Sequence, residues 1–162
     1  MEAATICGTP EYIAPEVILG RKYNQTVDFY GLGLLIFEML SGYNPYKVQD
    51  FGGNSYSMFE MIVNEQIQFN FPKRNFTPHA KSIVKQLMAK DPRKRLGNGR
   101  CGIQEIKDHA FFEGIDWDLL QAQLVEVPFR PNLGSDTDTK YVDKEFLRQS
   151  KKDKKDFWIN LD

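Results

Sequence analysis

Residues 25–41 read QTVDFYGLGLLIFEMLS, and this stretch determines how the rest of the chain must pack. Apolar side chains occupy almost every position, and only Asp28 and Glu38 carry a charge. A helix that is apolar on every side is typical of a helix buried on every side, so other elements must pack around it. The remaining sequence shows no excess of strand patterns. We therefore predict that this packing is largely helical and that the fold is mainly α.

Further helical patterns follow on the C-terminal side of this stretch. The first covers residues 56–63, and the second begins at Thr77 and Pro78, a cap residue followed by proline at the first helical position. A short helix is predicted over residues 103–108. The apolar stripe of the second pattern consists of Ala80, Ile83, Val84, Leu87 and Met88.

Composition and charge are those of a soluble globular chain. The 162 residues contain 21 basic and 22 acidic side chains, and this balance implies neither a nucleic-acid surface nor a polybasic membrane patch. We expect no nucleic-acid partner and no membrane insertion. No apolar run reaches the roughly 18 residues of a membrane-spanning helix. Cys7 and Cys101 match neither a zinc spacing nor a redox spacing. We therefore predict reduced thiols in a cytoplasmic or nuclear protein.

Three motifs in a fixed order resemble the second half of a protein kinase domain. Residues 8–16, GTPEYIAPE, resemble the end of the activation segment, which closes with Ala-Pro-Glu. Residues 27–33, VDFYGLG, resemble the start of the buried central helix of the large lobe, and residues 91–96, DPRKRL, resemble its closing arginine motif. Residues 111–117, FFEGIDW, and 128–131, PFRP, are similar to the AGC group of serine/threonine kinases, above all to its protein kinase B-like members.

This resemblance implies an incomplete helical large lobe of the protein-kinase-like fold in residues 1–112. Residues 113–162 would form an AGC-type C-terminal tail, which we expect to be extended, solvated and partly disordered. The complete family domain uses ATP and magnesium. Its glycine loop, ATP-binding lysine, catalytic loop and magnesium triplet all precede Ala-Pro-Glu, and none of them precedes it here. We therefore expect no catalytic, cofactor-binding or metal-binding residue in this chain.

Three short patterns imitate the missing motifs in the wrong order. Asp50-Phe51-Gly52 resembles the magnesium triplet, residues 97–102 resemble the glycine loop, and residues 83–85 resemble the strand that carries the lysine. All three follow Ala-Pro-Glu and lack the required structural context. We predict that none of them does chemistry, and the sequence contains no His-Arg-Asp.

The resemblance also implies roles for individual residues. Thr5 corresponds to the activation-loop position that an upstream kinase phosphorylates, where the phosphate would pair with arginine. Thr9 and Asp28 correspond to residues that contact the catalytic loop. Glu16 and Arg95 correspond to a buried structural ion pair, from which the loss of one partner costs about 3–5 kcal/mol.

Substrate binding is the activity best represented in these motifs. Glu11 and Glu38 correspond to acidic positions that pair with arginines of the substrate. The resemblance thus implies phosphorylation of serine or threonine in basic proteins or peptides. Taken alone, Glu38 is explained equally well as a carboxylate that solvates the end of a buried helix. The apolar pocket for the residue after the acceptor would be formed by Ile6, Pro10 and Ile13.

Two hypotheses from different functional classes stay open, and a third is less favoured. The chain is either a segment of an active serine/threonine kinase or a free-standing noncatalytic module that binds basic peptides or kinase regulators. Both predict no phosphoryl transfer by these residues alone. They differ in whether the chain folds by itself, because the apolar central helix needs its surface covered. The third hypothesis is a catalytic half supplied in trans by another polypeptide.

Overall fold

The structure is a computed structural model that describes residues 9–47, 55–69 and 76–147, except for the side chains of residues 55–57. Within these ranges the regular secondary structure is helical and no β-strand occurs, which confirms the mainly α prediction. Short 3-10 helices span Pro10–Tyr12, Pro92–Lys94 and Ala110–Phe112. The α-helices are α1 (Pro15–Ile18), α2 (Thr26–Ser41), α3 (Ser55–Asn64), α4 (Pro78–Leu87), α5 (Ile103–Lys107) and α6 (Trp117–Gln121).

Helices α2 and α4 form the centre of the first of two compact units, which ends at Ile115. The backbone N–H of Ala80 donates to the Thr77 hydroxyl at 3.1 Å, so the predicted cap begins α4. The whole predicted apolar stripe of α4 is buried. Helix α2 ends at Gly42, whose φ of 80° lies in the left-handed region that glycine adopts without strain. The fully buried apolar side chains of α2 are Tyr30, Leu34 and Phe37.

One face of α2 is exposed, and the expectation that this helix is buried on every side is therefore wrong. Leu35, Met39 and Leu40 are between 39% and 66% exposed, and Asp28 near the start of the helix is also exposed. A helix that is apolar on every side needs packing partners on every side. The described residues cover the face of α2 that packs on α4 and leave the face of Leu35 and Met39 exposed. Composition shows how much apolar surface a helix carries, whereas burial depends on which neighbours are present.

The second unit begins at Asp116 and contains α6 and the segment that follows it. None of its described side chains is buried. The unit begins three residues after the predicted start of the tail at residue 113. Local contacts shape the segment after residue 128. The carboxylate of Asp138 accepts hydrogen bonds from the backbone N–H groups of Gly134 and Lys140 at 2.8 and 2.9 Å. The rings of Phe129 and Tyr141 meet edge to face at 6.0 Å.

A partly buried lysine is expected to make the stability of the first unit depend on pH. The Nζ of Lys90 donates to the Ile62 carbonyl at 2.5 Å and lies 5.9 and 5.6 Å from the ring centroids of Tyr30 and Tyr46. Burial lowers the pKa of Lys90 to about 8, whereas a lysine of the unfolded chain titrates near pH 10.4. Between these values the unfolded state binds more protons than the folded state, so the free energy of unfolding rises with pH.

We expect the free energy of unfolding, measured by urea denaturation, to increase by about 1 kcal/mol from about pH 8 to about pH 9.5, allowing for the partial exposure of Lys90. Tyr46, whose pKa is raised by burial to about 12, acts in the opposite direction only above about pH 10. Lys90→Met should lose the increase, and Lys94→Met, at an exposed lysine, should keep it. An equal increase in all three proteins would contradict the assignment to Lys90.

Candidate functional site

A buried ion pair joins α1 to the segment after α4. The Nη1 and Nη2 of Arg95 donate to the two carboxylate oxygens of Glu16 at 2.6 and 2.9 Å, and each residue is 2% exposed. The same guanidinium donates to the carbonyl oxygens of Thr26, at 2.8 Å, and Ala89, at 3.0 and 3.2 Å. It also lies 5.2 Å from the ring centroid of Tyr30. These contacts hold α1, and with it the segment that leads into α1, against the core.

An acidic cluster, which we define as Glu11, Tyr12, Glu38 and Lys47, lies where residues 9–14 meet the C-terminal part of α2. The Tyr12 hydroxyl donates to Oε2 of Glu38. The Nζ of Lys47 lies 3.0 Å from Oε1 of Glu11. The Glu11 side chain is 15% exposed and that of Lys47 is 60% exposed, so the ammonium covers the carboxylate from the solvent side. Two carboxylates with one lysine leave the cluster negative.

Hydrogen bonds stabilise the protonation states of the acidic cluster. The pKa of Glu11 is lowered, first by a hydrogen bond from its own backbone N–H and then by the hydrogen bond from Lys47. The pKa of Tyr12 is raised, chiefly because its hydroxyl donates to Glu38. The pKa of Lys47 is raised, chiefly by its hydrogen bond to Glu11. At neutral pH the carboxylate of Glu11 therefore stays ionised, while Lys47 and Tyr12 keep their protons.

The structure brings Glu11 and Glu38 into one cluster and gives each of them a partner within the chain. Sequence reasoning missed both partners. Tyr12 lies inside the motif of residues 8–16, directly after Glu11. This position could have identified it as a possible partner of the predicted site. Lys47 gave no such signal, because it follows the turn after α2 and belongs to none of the recognised motifs.

The predicted apolar pocket is only partly described. Pro10 is exposed at the start of its 3-10 helix, next to Glu11. Ile13 is buried in the hydrophobic core and offers little surface to a ligand. Ile6 and the predicted phosphorylation site Thr5 lie outside the described residues.

Thr9 and Asp28 line one open cavity of about 460 Å³. Both residues are exposed, and within the described part of the chain neither side chain makes a hydrogen bond. Apolar walls of this cavity come from Ile13, Val17 and Val27. The cavity thus combines a hydroxyl and a carboxylate with an apolar lining.

Two of the patterns that imitate kinase motifs are explained by their surroundings. Oε2 of Glu105 accepts hydrogen bonds from the backbone N–H groups of Gly97 and Gly99 at 3.2 and 3.3 Å, so a carboxylate of the chain occupies these glycine amides. Lys85 lies on α4, with its Nζ 5.5 Å from the ring centroid of Phe69. It is therefore on a helix and not on a strand. Asp50-Phe51-Gly52 lies outside the described residues.

Metal-binding and membrane-spanning features are absent from the parts of the chain that the structure describes. No group of three or more His, Cys, Asp or Glu side chains there is arranged to hold a metal ion. None of the helices there combines the length and the apolarity that crossing a membrane requires.

Comparison with known proteins gives a family match and a set of similar kinases. Residues 1–112 match the protein kinase domain family. The chain is 43% identical over 146 residues to the RAC serine/threonine-protein kinase of Drosophila melanogaster, a match that covers 90% of this chain and 23% of that protein. It is 43% identical over 147 residues to the human RAC-beta serine/threonine-protein kinase, covering 90% and 29%. The chain therefore spans less than a third of the length of these relatives.

Proposed function

Because the chain belongs to the protein kinase family, we propose that it forms the substrate-binding part of a serine/threonine kinase large lobe. Its similarity to the RAC kinases supports the AGC assignment made from the sequence. The complete domain would transfer the γ-phosphate of ATP to serine or threonine in arginine-containing proteins. These 162 residues would bind such substrates without transferring phosphate. The observation that carries the proposal is the acidic cluster, in which Tyr12 holds the carboxylate of Glu38 and Lys47 that of Glu11.

The geometry of the acidic cluster suits a guanidinium. An arginine side chain is planar, always charged and rich in N–H donors, and it pairs with carboxylates through directed hydrogen bonds. Tyr12 donates to Oε2 of Glu38, which leaves Oε1 for a substrate arginine. Lys47 takes Oε1 of Glu11 and leaves Oε2. Tyr12 thus orients one carboxylate without neutralising it.

ATP and magnesium belong to the complete domain in this proposal. The residues that the structure describes do not suit either group, because Glu105 already binds the amides of Gly97 and Gly99, and Lys85 lies on a helix. The sequence also lacks the His-Arg-Asp of a catalytic loop.

Four further assignments belong to the same proposal. Thr9 and Asp28 contact the catalytic loop of the complete domain, and the open cavity that they share supports this. Thr5 is the site that an upstream kinase phosphorylates. The protein works in the cytoplasm or the nucleus. A pocket of Ile6, Pro10 and Ile13 would receive the residue after the acceptor, with the exposed Pro10 contributing more surface than the buried Ile13.

A peptide-binding experiment tests the proposal. We expect a fluorescent peptide with two arginines upstream of its serine to bind the chain in an anisotropy titration, and the same peptide with both arginines replaced by glutamine to bind much more weakly. Glu38→Gln should weaken binding of the arginine peptide about tenfold or more, because hydrogen bonds to charged groups contribute about 1.5–3 kcal/mol. Glu113→Gln, at an exposed glutamate outside the cluster, should bind like the wild type.

Phosphate transfer to the arginine peptide is measured in parallel with magnesium-ATP, together with a thermal melt. We expect no transfer and a melting temperature that magnesium-ATP does not shift. Transfer would refute the noncatalytic assignment for this chain. Equal binding of the arginine and glutamine peptides would refute the substrate-binding assignment.

A free-standing noncatalytic module that binds basic peptides or kinase regulators is the alternative function. One observation favours it: the first unit has a continuous buried core of its own, centred on α2 and α4. The exposed apolar face of α2 favours a segment of a larger domain. A cooperative melt of a monomer, shown by sedimentation, would support the module, whereas aggregation would support the kinase segment.

A further inference from the structure

The two carboxylates of the acidic cluster have partners of different charge. Glu11 faces the ammonium of Lys47 at 3.0 Å. Glu38 accepts a hydrogen bond from the neutral hydroxyl of Tyr12, and no lysine or arginine of the described residues forms an ion pair with it. Lys47 also attracts the charge of Glu38, but more weakly than that of Glu11 and without direct contact. One carboxylate therefore has a direct cation partner within the chain, and the other does not.

The backbone that carries Lys47 is held by buried contacts. Asn44 and Tyr46 are each 2% exposed, and the carboxamide oxygen of Asn44 accepts a hydrogen bond from the Tyr46 backbone N–H at 3.0 Å. The Tyr46 hydroxyl lies 2.8 Å from that of Tyr30 inside the core. The backbone N–H of Lys47 itself donates to the Asn44 carbonyl at 3.1 Å. These contacts fix where the side chain of Lys47 starts and keep its ammonium within reach of Glu11.

From this asymmetry we infer that Lys47 is a specificity-determining residue. Its ammonium pairs with the Glu11 carboxylate, so that the acidic cluster binds one substrate arginine rather than two. The inference rests on the proposed function, because it requires the cluster to be the arginine site. An arginine that approaches Glu38 displaces no cation. An arginine that approaches Glu11 must displace or crowd the ammonium of Lys47. A second arginine in the substrate therefore adds little to the binding affinity.

Removal of the Lys47 charge tests the inference. Three peptides of equal length are titrated by anisotropy, with no arginine, one arginine or two arginines upstream of the serine. We expect Lys47→Met to raise the affinity for the two-arginine peptide about two- to fivefold, the range of an exposed ion pair, and to change the one-arginine affinity less than about 1.5-fold. Lys47→Arg, which keeps the charge, should retain the wild-type ratio between these two peptides.

Lys94→Met removes the same charge at an exposed position outside the cluster and separates a local effect from a general one. It should leave the ratio between the two arginine peptides unchanged. If Lys47→Met melts below the wild type, Lys47→Gln is used in its place, since it keeps a polar group at this exposed position.

The outcomes distinguish this inference from the proposed function. If the wild type prefers arginine peptides but Lys47→Met raises both affinities equally, or raises neither, the role of Lys47 is refuted and the arginine site stands. If the wild type binds the arginine-free peptide as tightly as the others, both are refuted. A gain confined to the two-arginine peptide supports the inference.

Discussion

Arg95→Met is expected to lower the free energy of unfolding of the chain by about 3–5 kcal/mol, because it leaves the carboxylate of Glu16 buried without its partner. The substitution also removes the hydrogen bonds that Arg95 donates to the carbonyl oxygens of Thr26 and Ala89. A loss of this size is a large fraction of the stability of an ordinary domain. Urea denaturation followed by circular dichroism measures it directly.

Two variants separate the ion pair from the general effect of losing an arginine. Arg93→Met removes an exposed guanidinium that pairs with Asp91, and it should leave the free energy of unfolding nearly unchanged. The double variant Glu16→Leu with Arg95→Met removes both buried charges, and it should recover part of the loss because no unpaired carboxylate remains. Equal losses for Arg93→Met and Arg95→Met would show that burial of the pair contributes nothing.

Gly33→Ala is expected to lower the free energy of unfolding by about 1–3 kcal/mol, because α2 and α4 approach too closely for a side chain there. A Cβ at Gly33 would lie 2.8 Å from Cβ of Leu87 and 2.8 Å from Cγ of Met88. The contact with Leu87 involves an atom fixed to the backbone of α4. Relief therefore requires the two helices to move apart, and thermal or urea denaturation reports the cost.

Gly31→Ala is the matched control, since it makes the same change two positions earlier in the same helix. Apart from its chain neighbours and the backbone of its own helix, no atom lies within 4 Å of a Cβ at Gly31. Alanine favours a helix over glycine by about 1 kcal/mol, so this variant should be more stable than the wild type. The two glycines are thus predicted to respond with opposite signs. A similar response from both would contradict the close approach of α2 and α4.

The local signals of the sequence predicted the helices well. The Thr77-Pro78 start and the apolar stripe that follows it predicted α4, and the structure has both the cap and the buried stripe. The pattern of residues 103–108 likewise predicted α5. Such signals succeed because caps and helical periodicity act between residues three or four positions apart.

The candidate site was predicted less completely. The motif match pointed to Glu11 and Glu38 but not to their partners, and the Tyr12 hydroxyl and Glu38 are 26 positions apart in sequence. Lys47 pairs with Glu11 across a comparable separation, and no periodicity or spacing links such residues.

The sequence by itself determined the helical class, the kinase family and the identity of the residues that form the buried pair of Glu16 and Arg95. These follow from ordered motifs and from short-range periodicity. Only the tertiary structure decided that one face of α2 stays exposed, that Glu105 occupies the glycine amides, and that Lys47 neutralises Glu11. Charge pairing and burial depend on which surfaces the folded backbone brings within a few ångströms, and that proximity is a property of the packed helices.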